Sequence, residues 1–206
     1  MDDDIRQRVA REMQGVYQRQ AAHWDATRGR GLEERHWLDR LLALTAPGDR
    51  VLDLGCGSGE PIAAHVVAQG RRVWGMDFAP AMISLAQARM PDQTWTVGDM
   101  RGLALGDTFA AIIGWDSFFH LTPDEQLDLI PRLARHLVPG GGLLLTVGPR
   151  AGEPLGSVGG EPVYHASLAP EAYREELSRV GLEVVDFVPE DPSCGRTVLL
   201  ARLAQA

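Results

Sequence analysis

The stretch VLDLGCGSGEP, residues 51–61, runs a short apolar segment directly into glycines at positions 55, 57 and 59. A glycine-rich turn between a buried strand and a helix lets a ligand approach the backbone where a Cβ would block it. Both dinucleotides and smaller cofactors use such a turn. The dinucleotide fingerprint G-x-G-x-x-G requires a glycine where this chain has Glu60, and a glutamate there would oppose a pyrophosphate. The spacing therefore disfavours NAD.

The segments around this turn alternate between strand-like and helical patterns. Strands are predicted at 50–55, 71–77, 93–99, 109–116, 142–148, 182–188 and 196–203. Helices are predicted at 4–22, 33–45, 60–69, 79–89, 122–137 and 169–180. Apolar strands separated by helices are typical of a parallel sheet covered on both faces. The last two strands follow one another without a helix, so we expect them to pair antiparallel.

The composition indicates one domain, 1–206, with 45% hydrophobic and 23% charged residues. The net charge is −8, and all 20 basic residues are arginines without a basic stripe, so nucleic acid is not expected as a partner. No apolar run is long enough for a membrane span, and the charged N-terminus has no signal core. We therefore expect a cytoplasmic protein that does not bind membranes. The oligomeric state is not indicated.

Acidic and apolar residues follow the second, third and fourth predicted strands. Asp77 ends the second strand, Asp99 and Met100 follow the third, and Trp115 and Asp116 end the fourth. The carboxyl ends of parallel strands meet at one edge of an open α/β sheet, where ligands bind. An acid after the second strand accepts hydrogen bonds from ribose hydroxyls, and an acid beside an apolar side chain suits an adenine. Together these residues predict a site for an adenosine that has no phosphates to neutralise.

In this order and spacing the motifs resemble those of class I S-adenosylmethionine-dependent methyltransferases of the small, bacterial, single-domain type. The resemblance covers nearly the whole chain. It is carried by DLGCGSG (53–59), Asp77, GDM (98–100), GWDSFFHL (114–121) and LVPGGG (137–142). It implies an α/β fold with a Rossmann-like, doubly wound, seven-stranded sheet, its last strand antiparallel, and an N-terminal helical cap at 1–45. The implied cofactor is S-adenosyl-L-methionine, with S-adenosyl-L-homocysteine as its product.

The resemblance also assigns residues to the methionyl and ribose parts of the cofactor. The backbone at Gly55 and Gly57 would pass under the methionyl group, with Trp115 near it, and Asp77 would bind the ribose. Asp77 has an alternative role as the N-cap of the following helix. Asp53 has a weaker case, since it could orient the glycine turn without touching the ligand.

Four further residues are assigned to the adenine by the same resemblance. Phe78 and Met82 would border one side of the ring, Asp99 would accept from its amino group, and Met100 would lie beside it.

The N-terminal segment resembles the helical cap that closes over the cofactor in this family. Tyr17, Trp24 and Arg28 would face the cofactor, with Arg28 a partner for its carboxylate. The alternative is that Tyr17 and Trp24 only dock the helix onto the domain.

The implied activity is methyl transfer to an O, N or C nucleophile of a small molecule. The alternatives are a protein that binds the cofactor without transferring the methyl group, and a nucleotide-dependent oxidoreductase. Transfer depends mainly on alignment, and a base is needed only if the nucleophile must lose a proton. His120 and His165 are the candidate bases. The alternative for His120 is a structural role, and the alternative for His165 is that it is merely exposed in its loop; no metal-ligand spacing is evident.

The acceptor would lie against aromatic side chains near these histidines. Phe118, Phe119 and Tyr164 are the candidate substrate-binding residues, and we expect one of the two phenylalanine rings to face the core. The Gly- and Pro-rich segment 148–168 is predicted to be a long loop that acts as a lid over the substrate.

Overall fold

The computed structural model describes residues 2–205. Its helices are α1 (Asp2–Thr27), α2 (Arg35–Leu42), α3 (Ile62–Ala68), α4 (Pro80–Arg89), α5 (Pro123–Arg135) and α6 (Pro170–Arg179). Its strands are β1 (Arg50–Leu54), β2 (Arg72–Asp77), β3 (Thr94–Val97), β4 (Phe109–Gly114), β5 (Leu137–Val147), β6 (Leu155–Val158), β7 (Glu161–Tyr164), β8 (Leu182–Asp191) and β9 (Arg196–Leu203).

Seven of the strands form one sheet in the order β3-β2-β1-β4-β5-β9-β8. Strand β9 runs antiparallel to both of its neighbours, and the pairings among β1 to β5 are parallel. The predicted fold class is therefore confirmed. The chain moves outward from β1 to β3 and then returns to β4 on the other side of β1. This reversal opens a crevice at the carboxyl ends of β1 and β4, the usual ligand position in such sheets.

The alternation of side chains along β1 shows how both faces of the sheet are covered. Leu52 faces a core closed by α5 and α6, and Val51 faces a core closed by α2 and α3. Within the predicted cap segment 1–45, α2 thus belongs to the layer on the sheet. Helix α1 instead packs against α4 and the β6–β7 hairpin, and it lies over the crevice.

The prediction of a long loop at 148–168 is wrong over part of its length. Strands β6 and β7 pair antiparallel through a turn at Gly159 and Gly160, both with positive φ. Val158 and Val163 are buried against α1 and supply the apolar side of the hairpin. Gly-Gly between short strands is a recognised hairpin signal, but the surrounding prolines and glycines obscured it.

Strand β5 also differs from its predicted bounds. It begins at Leu137 and not at residue 142, so it includes the glycines at 140–142. Within residues 2–205, none of the helices combines the length and apolar character needed to cross a bilayer.

A buried polar network holds the end of the 148–168 segment to α5. The Tyr173 hydroxyl donates to Gln126 Oε1 at 2.5 Å and accepts from the Leu168 N–H at 3.2 Å. Tyr173 and Gln126 are both fully buried, so a lost partner is not replaced by water.

We expect Tyr173→Phe to lower the free energy of unfolding by about 1–3 kcal/mol, because it leaves the Gln126 oxygen buried without its donor. Urea unfolding followed by circular dichroism measures this. Tyr164→Phe is the matched control: its hydroxyl donates to Glu153, which is exposed, so the loss is expected to be below about 1 kcal/mol. Equal losses in the two variants would contradict the assignment of the network.

Candidate functional site

The glycine turn after β1 brings bare backbone to the crevice. Gly55 and Gly57 have φ of +71° and +52°, a conformation that side chains disfavour. A Cβ on Gly55 would lie 2.3 Å from the Cβ of Ser117, so this position has no room for a side chain. A Cβ on Gly57 would have only Trp24 Nε1 within 4 Å, at 3.9 Å. The Gly57 backbone therefore faces open space beneath α1.

Asp77 connects the turns after β1 and β2. Its carboxylate accepts the N–H of Gly57 at 3.0 Å and the N–H of Ala79 at 2.9 Å. Burial raises the pKa of Asp77 to about 6, against the opposing effect of these two hydrogen bonds. Ala79 is the N-cap residue of α4, so Asp77 fixes the helix start and also presents a carboxylate to the crevice.

A cavity lies between the sheet edge and α1. Met82 is buried at its wall, and the Tyr17 ring packs against Trp24 and Phe78 with ring centroids 5.9 and 6.0 Å apart. All eleven residues predicted to bind the cofactor line it: Tyr17, Trp24, Arg28, Gly55, Gly57, Asp77, Phe78, Met82, Asp99, Met100 and Trp115.

Both arginines of this cavity are held by acids of the protein. Arg28 Nη2 lies 2.5 Å from Oε1 of the buried Glu34. The Arg101 side chain and backbone N–H donate to the Asp99 carboxylate, and Arg101 also contacts Glu125 at 3.2 Å. The sequence did not indicate either partnership, because each joins turns whose geometry the pattern does not specify.

The C-terminal part of α1 is fastened to the glycine turn by an ionic cluster centred on Asp25. Its carboxylate accepts from Arg89 at 2.7 and 2.5 Å, from Ser58 Oγ at 2.5 Å and from Arg30 at 2.8 Å. The hydrogen bonds from Arg89 are the largest cause that holds the pKa of Asp25 well below its usual range. The cluster therefore joins the end of α1 to the glycine turn and to the end of α4. Sequence reasoning missed it.

A second cavity of about 750 Å³ adjoins the first. Four side chains line both cavities: Tyr17, Trp24, Asp116 and His120. The second cavity is completed by Phe119, the segment 147–154 and residues of the β6–β7 hairpin. Its volume lies within the range of small-molecule sites.

His120 is bound on both ring nitrogens. Nδ1 lies 2.7 Å from the Tyr164 carbonyl oxygen, which only accepts, so Nδ1 carries the hydrogen. Nε2 therefore accepts from the Tyr17 hydroxyl at 2.8 Å. Burial is the main cause that lowers the pKa of His120 to about 4, so the ring is neutral at pH 7.

The other residues predicted to contact the acceptor lie in three different environments. His165 lines the second cavity, stacked edge-on against Phe119 with ring centroids 4.8 Å apart. Phe118 is buried in the core beneath the sheet edge. The Tyr164 side chain is buried with its hydroxyl on Glu153 and lines neither cavity.

The sequence is similar to that of known methyltransferases. The family described as "Methyltransferase domain" matches residues 51–141. A trans-aconitate 2-methyltransferase of Azoarcus sp. is 31% identical over 178 residues, which cover 74% of this chain and 70% of that protein. The chain belongs to the S-adenosylmethionine-dependent methyltransferase family. As the resemblance implied, S-adenosylmethionine is the cofactor assigned to it.

Three other curated relatives and one solved structure show how far the likeness extends. A dTDP-3-amino-3,4,6-trideoxy-alpha-D-glucopyranose N,N-dimethyltransferase of Streptomyces venezuelae is 31% identical over 50% of this chain and 44% of its own. The chain spans about half the length of two other curated relatives that it matches, 51% of one and 55% of the other. The S-adenosylmethionine-bound amino pentose methyltransferase CalS10 of Micromonospora echinaspora has a TM-score of 0.69 at 24% identity, over 91% of this chain and 96% of its own. That likeness supports the fold.

The residues of the methyltransferase cavity fit this cofactor. The open backbone at Gly57 leaves room for a group above it, and the buried Asp77 carboxylate suits ribose hydroxyls. Both cavity arginines are already paired, as expected for a nucleoside that lacks phosphates.

We expect Asp77→Asn to weaken S-adenosylhomocysteine binding by roughly 1–3 kcal/mol, the scale of a lost charge-assisted hydrogen bond. Isothermal titration calorimetry measures the change. Asp92→Asn is the control, since Asp92 is exposed. An unchanged dissociation constant would reject the ribose assignment.

We expect Arg89→Gln to increase the dissociation rate of S-adenosylhomocysteine about threefold or more, because α1 loses its main ionic contact. The wild-type rate should rise with salt and the variant rate should change less. Stopped-flow tryptophan fluorescence follows the release. Arg179→Gln, which removes an exposed ion pair on α6, is the control. Identical rates in Arg89→Gln and wild type would mean that the Asp25 cluster does not hold the helix closed.

Proposed function

We propose that this chain transfers a methyl group from S-adenosylmethionine to an O, N or C nucleophile of a small molecule. The observation that supports this most directly is the shared wall of the two cavities. The second cavity opens beside the first at Tyr17, Trp24, Asp116 and His120, where an acceptor would lie next to the bound cofactor. The cofactor supplies an activated methyl group on its sulfonium.

The main contribution of the protein would be alignment and the exclusion of water. Helix α1 covers both cavities, and the hairpin β6–β7 packs against it through Val158 and Val163. In-line transfer benefits from reactants held in a near-attack geometry. The segment 148–168, with its hairpin, would act as the lid over the acceptor.

His165 is the base in direct reach of an acceptor. Its ring lines the second cavity, and burial is the main cause that lowers its pKa below the usual value. It is therefore neutral at pH 7 and able to accept a proton. Phe119 would form the apolar wall beside it.

His120 would act through Tyr17. Nε2 of His120 accepts a hydrogen bond from the Tyr17 hydroxyl. When the Tyr17 oxygen takes a proton from the acceptor, the hydroxyl proton can therefore move to Nε2 of His120. Burial, with smaller contributions from Asp116 and Asp77, raises the pKa of Tyr17. This route therefore requires the two side chains together.

The relatives suggest acceptors for a first assay. The relative from Azoarcus is named for trans-aconitate and that from Streptomyces venezuelae for an amino sugar nucleotide. Both can be incubated with the enzyme and S-adenosylmethionine, and formation of S-adenosylhomocysteine can be measured. Saturable cofactor binding without turnover on a broad set of acids, amines and phenols would instead support a binding protein. Binding of NAD would support an oxidoreductase.

On an acceptor that must lose a proton, we expect His165→Ala to lower kcat by about 10²–10⁴-fold, the usual contribution of a general base. The dissociation constant of S-adenosylhomocysteine should stay within about twofold, because His165 does not line the cofactor cavity. His23→Ala is the control, since His23 is exposed.

Tyr17→Phe separates the two routes. A wild-type rate for His165→Ala with a large loss for Tyr17→Phe would assign the proton to the Tyr17–His120 pair. Wild-type rates in both variants would contradict base catalysis and leave alignment as the source of the rate.

A further inference from the structure

Asp53 is a buried acid that the proposed reaction does not use. It lies in β1 and is 3% exposed, and no described hydrogen bond contributes to its ionisation. Every side-chain nitrogen or oxygen sealed from solvent within residues 3–205 has a hydrogen-bond partner. Because the Asp53 carboxylate has no such partner, its oxygens are not sealed, and they are open to the cofactor cavity that Asp53 lines.

Among the described residues, no cation is one of the groups that shift the pKa of Asp53. Burial, followed by the charges of Asp77 on β2 and Glu34 before α2, raises the pKa of Asp53 to about 7. Arg28, the nearby cavity arginine, is bound to Glu34. Cys56 in the glycine turn has its own pKa raised by burial and by Asp53, so it is a neutral thiol.

The neighbouring strands do not change this balance. In the sheet register Asp53 is level with Gly75 of β2 and Ile113 of β4, and neither side chain is titratable. Three other acids of the cavity are paired with arginines: Asp99 with Arg101, Asp116 with Arg196, and Glu60 with Arg30 and Arg89. Asp77 is bound by two backbone N–H groups and by no cation.

The cofactor and its product differ in the charge that this cluster would meet. S-adenosylmethionine carries a sulfonium and an ammonium against one carboxylate, whereas S-adenosylhomocysteine has lost the sulfonium charge. An uncompensated carboxylate in a largely buried site favours the ligand with the additional positive charge.

We propose that Asp53 is the residue by which this site distinguishes S-adenosylmethionine from S-adenosylhomocysteine, and that binding of S-adenosylmethionine releases a proton from Asp53. The inference rests on the proposed function only for its cofactor and makes no use of an acceptor. Once the methyl group has left, Asp53 takes up a proton again. The site then no longer has the charge that favours binding, and S-adenosylhomocysteine is held less tightly than S-adenosylmethionine was.

The direction of the pH dependence follows from the ionisation of Asp53. With its pKa raised to about 7, Asp53 is partly protonated in the free protein at pH 7, and the cationic ligand draws it into the charged form. The affinity for S-adenosylmethionine should therefore fall as the pH drops below 7, by up to about tenfold per pH unit. The affinity for S-adenosylhomocysteine should change less, because that ligand has no net charge.

Calorimetric titration of the whole chain at pH 7 tests the proposal with both ligands. Phosphate and imidazole buffers differ in ionisation enthalpy, so the difference in heat gives the number of protons released. We expect S-adenosylmethionine to release a measurable fraction of a proton and S-adenosylhomocysteine to release close to none. In Asp53→Asn this proton release should disappear. Any protons that the ligand or Asp77 exchanges on binding are still counted in this variant, and they give the baseline for wild type.

The same variant tests discrimination. We expect Asp53→Asn to bind S-adenosylmethionine about tenfold more weakly and S-adenosylhomocysteine within about twofold of wild type. Asp92→Asn, at an exposed position, should match wild type for both ligands.

The proposal is overturned if wild type and Asp53→Asn release equal numbers of protons, or if the variant keeps the wild-type preference between the ligands. If the variant does not fold, the wild-type proton counts for the two ligands decide alone, and equal counts overturn the proposal. Failure of wild type to bind either ligand would remove the cofactor and the proposed function together. Proton-linked binding without any methyl transfer would reject the proposed function and leave this inference standing.

Discussion

The Asp77 carboxylate is the interaction on which the geometry of the site depends. By accepting backbone N–H groups from both Gly57 and Ala79, it joins the turn after β1 to the start of α4. The cost of burying this carboxylate is offset because two fixed donors are provided. Helix α1 then rests on the surfaces that Asp77 has positioned, since Phe78 and Met82 belong to the segment that follows it. Movement of Asp77 would therefore displace the floor and the roof of the cavity together.

Sequence reasoning predicted the parts of the molecule that follow from local pattern and topology. Apolar runs ending in glycine or aspartate specify buried parallel strands, and the rule that their carboxyl ends share an edge places Gly55, Asp77, Asp99 and Trp115 in one cavity. The antiparallel β9 followed from the absence of a helix before it. Such features need only short-range periodicity and a topological rule.

The remainder depends on contacts between distant segments, which no local pattern specifies. Asp25 is an ordinary polar residue of α1 until the fold brings Arg89 and Ser58 to it. The hairpin β6–β7 is stabilised by burying Val158 and Val163 on α1, so its strands were not evident from composition. The Tyr164 side chain was expected at the acceptor, but only the backbone carbonyl of that residue reaches the site, where it orients His120.

The Tyr17 ring forms part of the wall of both cavities, and this has a thermodynamic consequence. The position of the ring would contribute to the binding free energy of a ligand in either cavity. A ligand that fixed the ring in one cavity would also set the shape of the other, and the two binding equilibria would then be coupled. Linkage makes this coupling reciprocal: the factor by which a cofactor changes the affinity for an acceptor equals the factor by which that acceptor changes the affinity for the cofactor. The Tyr17 ring, hydrogen-bonded to His120 and one of the four side chains that line both cavities, would thus connect their occupancy.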